Sequence, residues 1–217
     1  PEIAFGLFSK NCREGDQRSC FGLGLLHQRG IVIEKNIQEA TRLFGQACNT
    51  KYAPACSHYG LLKMNKKSKL SDPRGGLELL RKGCDGGDAR GCVSFARLLE
   101  VGNDLLKANP NKALKLYTKS CTGRQGPGCH AMGRIYDEGK LVKKDHKKAK
   151  KFYEMGCNDL MDGESCGALG ERYYEGKFKM LKNHREALRY LSRGCNLGHN
   201  KSCASLGDFY ALGKLVK

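Results

Sequence analysis

The residues best equipped for chemistry in this chain are twelve cysteines in six pairs: Cys12 with Cys20, Cys48 with Cys56, Cys84 with Cys92, Cys121 with Cys129, Cys157 with Cys166, and Cys195 with Cys203. Members of a pair stand 8 residues apart, or 9 for Cys157 and Cys166, and the first cysteines recur after 36, 36, 37, 36 and 38 residues. Paired thiols can ligate a metal, exchange electrons or close a disulfide. A metal is not expected, because there is no C-x-x-C and the six histidines (His27, His58, His130, His146, His184, His199) follow no repeat position. Buried free thiols packed as small hydrophobes are the plain alternative; a disulfide within each pair is the expectation.

Other catalytic groupings are missing. No serine has a lysine three residues on, and there is no G-x-S-x-G, H-E-x-x-H or Walker loop. Gly22-Leu23-Gly24 reads as helix packing rather than a phosphate cradle. Neither a catalytic residue nor a cofactor is therefore expected. Lysine and arginine outnumber acids 39 to 22, a net charge of +17 that favours acidic partners. The basic stretches Lys66-Lys67-Ser68-Lys69 and 143–151 fall in or beside linkers, tryptophan is absent and the aromatics recur at core positions, so nucleic acid is not an expected partner. No apolar run approaches the 18 or so residues of a membrane span.

These groups have to be positioned by helices. Eight residues before each first cysteine stands a small residue (Ala4, Ala40, Gly76, Ala113, Ala149, Ala187), and four before it a bulky one (Phe8, Phe44, Leu80, Tyr117, Tyr153, Leu191). That i, i+4, i+8 stripe predicts a helix A. Asn36, Asp72, Asn109, Asp145 and Asn183 stand where its N-cap belongs, with Pro73 and Pro110 at N1 in two units. The second cysteine opens helix B. Three and four residues later come Leu23-Gly24, Tyr59-Gly60, Phe95-Ala96, Met132-Gly133, Leu169-Gly170 and Leu206-Gly207, small second positions that predict a tight helix crossing. Gly30, Gly102, Gly139, Gly176 and Gly213 mark the stops of helix B, with Lys66 in the second unit.

Within one continuous helix, cysteines eight apart would be about 12 Å distant, too far to bridge, so the chain must reverse between them. The result is an all-α solenoid of six two-helix repeats: 1–35, 36–71, 72–108, 109–144, 145–182 and 183–217. Two and six residues before the first cysteine, helix A carries Lys10, Arg42, Lys82, Lys115, Lys119, Lys151, Arg189 and Arg193. Offsets four apart share a face. In helical-hairpin solenoids the A helices line the concave groove, so these residues are the expected site for a protein or peptide bearing acidic or carboxylate groups.

The pattern N/D-x-x-x-A-x-x-x-Φ-x-x-G-C…C-x-x-Φ-G-x-x-Y-x-x-G, seen closely in 187–195, resembles the Sel1-like repeat. With its paired cysteines the chain is similar to the cysteine-rich Sel1-like proteins of Helicobacter. That resemblance implies a right-handed superhelix, a secreted or periplasmic protein-binding adaptor, and, as a rival, penicillin binding with weak β-lactamase activity. A second cysteine-rich branch implies an assembly factor of the mitochondrial intermembrane space. The chain starts at Pro1, consistent with a trimmed chain, and 211–217 repeats the linker pattern of 138–143. A polar capping helix is thus expected to be missing after it, or the last face to be a contact surface.

Overall fold

The computed structural model describes residues 2–177 and 182–211. Among these the chain is helical, with no strand. The helices are α1 (Glu2–Arg13), α2 (Gln17–Arg29), α3 (Ile37–Asn49), α4 (Ala53–Met64), α5 (Pro73–Asp85), α6 (Ala89–Val101), α7 (Pro110–Thr122), α8 (Gly126–Glu138), α9 (His146–Glu154), α10 (Gly163–Glu175), α11 (His184–Asn196) and α12 (Asn200–Ala211). Odd numbers are A helices and even numbers B helices. Two compact units emerge. Unit 1 comprises residues 1–98 and 102–107, and unit 2 comprises 99–101 and 108–217.

The N-caps follow the sequence. The side chains of Asn36, Asp72, Asn109, Asp145 and Asn183 each accept from the backbone N–H three residues on. Such a cap contributes about 1 kcal/mol. Pro73 and Pro110 open α5 and α7. Gly30, Gly139 and Gly176 end α2, α8 and α10 in the left-handed region. Without a glycine, α4 stops at Met64 with an extended Asn65. The expected stop at Gly213, and the linker and cap read from 212–217, lie outside the described residues.

Each hairpin turns on one left-handed residue, placed three after the first cysteine: Gly15, Lys51, Gly87, Arg124 and Gly198. The following N–H reaches back five residues in a Schellman-type closure, as in Asp16 to Asn11, Asp88 to Gly83 and His199 to Gly194. The hairpin with nine-residue spacing differs. A π turn at Met155–Asp159 takes up the extra residue, the left-handed residue becomes Met161, and Asp162 reaches back six residues, to Gly156.

This reversal brings paired cysteines together. The six disulfides all form within their hairpins, as the spacing predicts. Cys12 bonds Cys20, Cys48 bonds Cys56, and Cys84 bonds Cys92. Cys121 bonds Cys129, Cys157 bonds Cys166, and Cys195 bonds Cys203. Their Cα–Cα distances run from 4.2 Å (Cys84 to Cys92) to 4.7 Å (Cys157 to Cys166), and no cysteine is free. The free-thiol alternative is thereby set aside. Cys20, Cys56, Cys129 and Cys166 are fully buried, so these bonds belong to the core of their hairpins.

Within each unit the B helix of one hairpin packs on the A helix of the next. In unit 1 these pairs are α2 on α3 and α4 on α5; in unit 2 they are α8 on α9 and α10 on α11. The small positions make this possible. A Cβ on Gly24 would lie 2.6 Å from the Phe44 ring, one on Gly133 2.5 Å from Tyr153, and one on Gly170 2.6 Å from Leu191. Phe44, Tyr153 and Leu191 are fully buried at these crossings. Gly207 departs from the expectation, since no described atom lies within 4 Å of its Cβ position.

Candidate binding surface

The basic residues of helix A are all exposed: Lys10, Arg42, Lys82, Lys115, Lys119, Lys151, Arg189 and Arg193. Their backgrounds differ between the units. The stripe positions lie ten, six and two residues before the first cysteine. In unit 1 these are Glu2, Gly6 and Lys10 on α1; Gln38, Arg42 and Gln46 on α3; and Arg74, Glu78 and Lys82 on α5. Two acids therefore stand in the stripe itself. Arg42 is also clamped by Glu39 at 2.6 Å, and Lys82 shares a shallow cleft with Glu78, Arg81 and Asp85.

In unit 2 the same positions hold Asn111, Lys115 and Lys119 on α7; Lys147, Lys151 and Met155 on α9 and its π turn; and Arg185, Arg189 and Arg193 on α11. There is no acid among them. Lys147 and Arg185 were missed by reading only two offsets per helix, and one further step of four residues finds them. Lys115, Lys119, Lys147, Lys151 and Arg185 make no ion pair among the described residues, whereas Arg189 is 2.7 Å from Glu186. The three A helices are tied side by side through the π turn. The Met155 thioether lies 3.8 Å from Cys121 Sγ on α7 and 3.6 Å from Cys129 Sγ, and the Arg193 guanidinium donates to the Asn158 carbonyl at 3.3 Å. Arg189 lies 4.6 Å from the centroid of the Tyr190 ring, which stacks on Tyr173. A guanidinium over a ring face is held in place without losing its charge.

Behind this face runs a polar ladder that nothing in the repeat grammar announces. Arg134 donates to Glu100 at 2.7 Å, and Glu100 also accepts from the Tyr117 hydroxyl at 2.9 Å. Burial raises the Glu100 carboxyl, but the Arg134 guanidinium and the Tyr117 hydroxyl outweigh it and hold it below the ordinary carboxylate range. One repeat on, Arg172 donates to the buried Asp137 at 2.7 Å, and His146 Nδ1 lies 3.1 Å from the other Asp137 oxygen. Glu100 and Asp137 both stand eight residues after a second cysteine, which is the one signal the sequence offered. Their arginines do not share an offset, which hid the pairing.

A serine–histidine contact also occurs. His199 Nδ1 is 2.7 Å from Ser202 Oγ, a distance suited to nucleophile activation. The serine is only 1 % exposed, however, and no carboxylate pairs with His199 among the described residues. Asp16 with Ser19 and Asp162 with Ser165 occupy the equivalent positions and cap α2 and α10. Homology of position assigns the pair to capping. No group of three or more His, Cys, Asp or Glu side chains suited to a metal exists among the described residues, and none of their helices is long and apolar enough to cross a membrane.

Comparison with known proteins agrees with this geometry. The Sel1 repeat model matches residues 17–49, 50–88, 93–123, 126–159 and 163–199. A Sel1 repeat protein from Oxalobacter formigenes is 24 % identical with a TM-score of 0.69, covering 93 % of this chain and 79 % of that one. The protective antigen c5321 of uropathogenic Escherichia coli, with an SLR fold, is 21 % identical with a TM-score of 0.63, covering 96 % of this chain and 44 % of that one. Helicobacter pylori cysteine rich protein B is 31 % identical with a TM-score of 0.49, covering 62 % of this chain and 98 % of that one. No curated protein sequence matches. The family model frames each repeat from helix B into the next helix A, the very junction the small residues pack, and with five matches spanning most of the length, the chain belongs to the Sel1 repeat family.

Proposed function

We propose that the protein is an extracytoplasmic adaptor that binds acidic protein or peptide partners along its A helices. The observation that carries this reading is the set of exposed cations on successive A helices, with no compensating acid at the stripe positions of unit 2. Ordinary surfaces intersperse the two signs, whereas a one-sign face steers association with the opposite charge. Six disulfides support an oxidising compartment, outside the cytoplasm. The side chains of a stapled hairpin are also presented with little ordering cost, which is what a binding scaffold requires.

The test compares two charge reversals of equal size. Lys115→Glu with Lys119→Glu alters α7, while Lys143→Glu with Lys144→Glu alters an exposed linker. Partners retained from a periplasmic or secreted protein mixture should be lost with the first double variant and kept with the second. Equal loss with both would leave only a diffuse net-charge effect and defeat the A-helix assignment.

A further inference from the structure

Resting on that reading, we infer that the occupant of the A face is an extended acidic segment carrying carboxylates on alternate residues, and that unit 2 alone is its address. Three features of the surface lead there.

The first is the difference between units. Unit 2 offers cations at seven stripe positions, from Lys115 on α7 to Arg193 on α11, with no acid among them, while unit 1 interrupts its stripe with Glu2 and Glu78. A polyanion approaching unit 1 meets repulsion at those two places, and Arg42 is already engaged by Glu39.

The second is spacing. Along α11, Arg185, Arg189 and Arg193 repeat every four residues, which is about 6 Å of helix rise. Alternate side chains of an extended strand project to the same side about 6.6–6.8 Å apart. Carboxylates at every second residue therefore meet successive cations, and long Lys and Arg side chains absorb the small mismatch. A contiguous acidic block sends half its carboxylates to the far side.

The third decides against a docking helix, whose acids four apart would match the same interval. Helix-in-groove recognition needs a row of apolar anchors on the receiving face. Large exposed hydrophobics do occur among the described residues, such as Leu7 on α1, Val101 on α6 and Tyr210 on α12, but none belongs to α7, α9 or α11. The face has cations but no apolar seam, so it offers an extended segment what it needs and a helix very little.

Fluorescence anisotropy with four labelled probes tests this on the full chain: (Glu-Ser)6, a blocked peptide of the same composition, a helical peptide with Glu at i, i+4 and a single-stranded oligonucleotide of equal charge. The alternating peptide should bind about tenfold tighter than the blocked one, with each well-placed carboxylate adding a modest surface pair. Lys115→Gln, Lys151→Gln and Arg185→Gln together should weaken it about tenfold. Lys10→Gln, Arg42→Gln and Lys82→Gln together remove the same charge and should leave it within about twofold, as only long-range attraction is lost. Equal affinity for alternating and blocked peptides, or tighter binding of the helix or the oligonucleotide, overturns the extended-segment assignment. Equal weakening by the two triple variants overturns the unit 2 address while leaving acidic-peptide binding intact. If no acidic peptide binds above a Gly-Ser control, the adaptor reading falls with it.

Discussion

Gly133→Ala is the smallest change that tests how the repeats are held together. Alanine is the better helix former, so on an open helix this substitution stabilises by about 1 kcal/mol. Here the new Cβ would stand 2.5 Å and 2.6 Å from Tyr153 Cδ1 and Cε1, where carbon atoms pack comfortably at about 3.5–4.0 Å. Something must move by about 1 Å or more. Tyr153 cannot swing outward cheaply, because it is 1 % exposed and packs within a core that includes Ala149, Cys157, Cys166 and Leu169. Overpacking of this kind costs about 1–3 kcal/mol, and less the propensity gain the net loss should be about 1–2 kcal/mol. Gly133→Leu should lose more. Gly6→Ala is the control: it lies within α1 with nothing within 4 Å, and it should gain stability. Urea midpoints with unchanged slopes measure both. If Gly133→Ala matched or exceeded its parent, the α8 crossing on Tyr153 would not be a tight one, and the role assigned to the small positions would fail.

Removing the Cys84–Cys92 staple by double alanine substitution should cost about 2–3 kcal/mol while far-UV circular dichroism stays helical, since neighbouring repeats still bury the same faces; complete unfolding in buffer would contradict this. His58 packs its ring against Phe21 and Phe44, and burial, with a smaller push from Arg90, lowers its pKa to about 4. The folded state thus binds the proton less readily than the unfolded one, so this contribution is fully present above about pH 6.5 and is lost as pH falls toward 4. The shift allows at most about 3 kcal/mol, trimmed toward about 2 by partial solvent access, and His58→Phe should flatten that stretch of the stability–pH curve; an unchanged curve would rule out His58 as its source. Arg172→Met leaves the Asp137 carboxylate buried with only His146 beside it, and should cost about 3 kcal/mol, against under about 1 for Arg189→Met in its exposed pair. Comparable losses for the two would show that the ladder is no more than a surface ion pair.

Legibility in the sequence followed how local the physics is. Asn36, Asp72, Asn109, Asp145 and Asn183 could be placed as caps because a cap is decided within four residues. The disulfides followed from spacing alone, since only a chain reversal brings Cys12 to Cys20, Cys48 to Cys56 or Cys195 to Cys203. The turn itself was hidden. Its left-handed residue is glycine in some hairpins but Lys51, Arg124 or Met161 in others, and no composition rule flags a lysine at positive φ. The nine-residue spacing of Cys157 and Cys166 announced an insertion but not its form, because an extra residue can lengthen a turn or widen a helix. The latter occurs at Met155–Asp159. The ladder was hidden for a different reason. Glu100–Arg134 and Asp137–Arg172 join residues 34 and 35 apart, so the pairs follow the stacking of hairpins rather than any offset within one. At the binding surface the residue types were legible, and what needed the structure was which cations are already neutralised.

The cationic face and the staples belong to one design. Lys115–Lys119, Lys147–Lys151, Arg185–Arg189 and Arg189–Arg193 are like charges four residues apart on A helices of unit 2. Each such pair destabilises its helix by about 0.2–0.5 kcal/mol, so the four together cost about 1–2 kcal/mol. A solenoid has no distant core to absorb that cost, because every repeat touches only its neighbours. Relief has to be local. Each of α7, the α9 turn and α11 carries the first cysteine of its own disulfide: Cys121 bonded to Cys129, Cys157 to Cys166, and Cys195 to Cys203. A closed loop of about nine residues contributes about 2–3 kcal/mol, so a single staple exceeds the repulsion of the whole face. The buried ladder reinforces the same junctions from behind, since Arg172 of α10 reaches Asp137 of α8 between the helices that present the charges. Neutralising the face should therefore raise stability as it removes affinity, and a partner that supplies carboxylates should raise stability on binding by relieving the same repulsion.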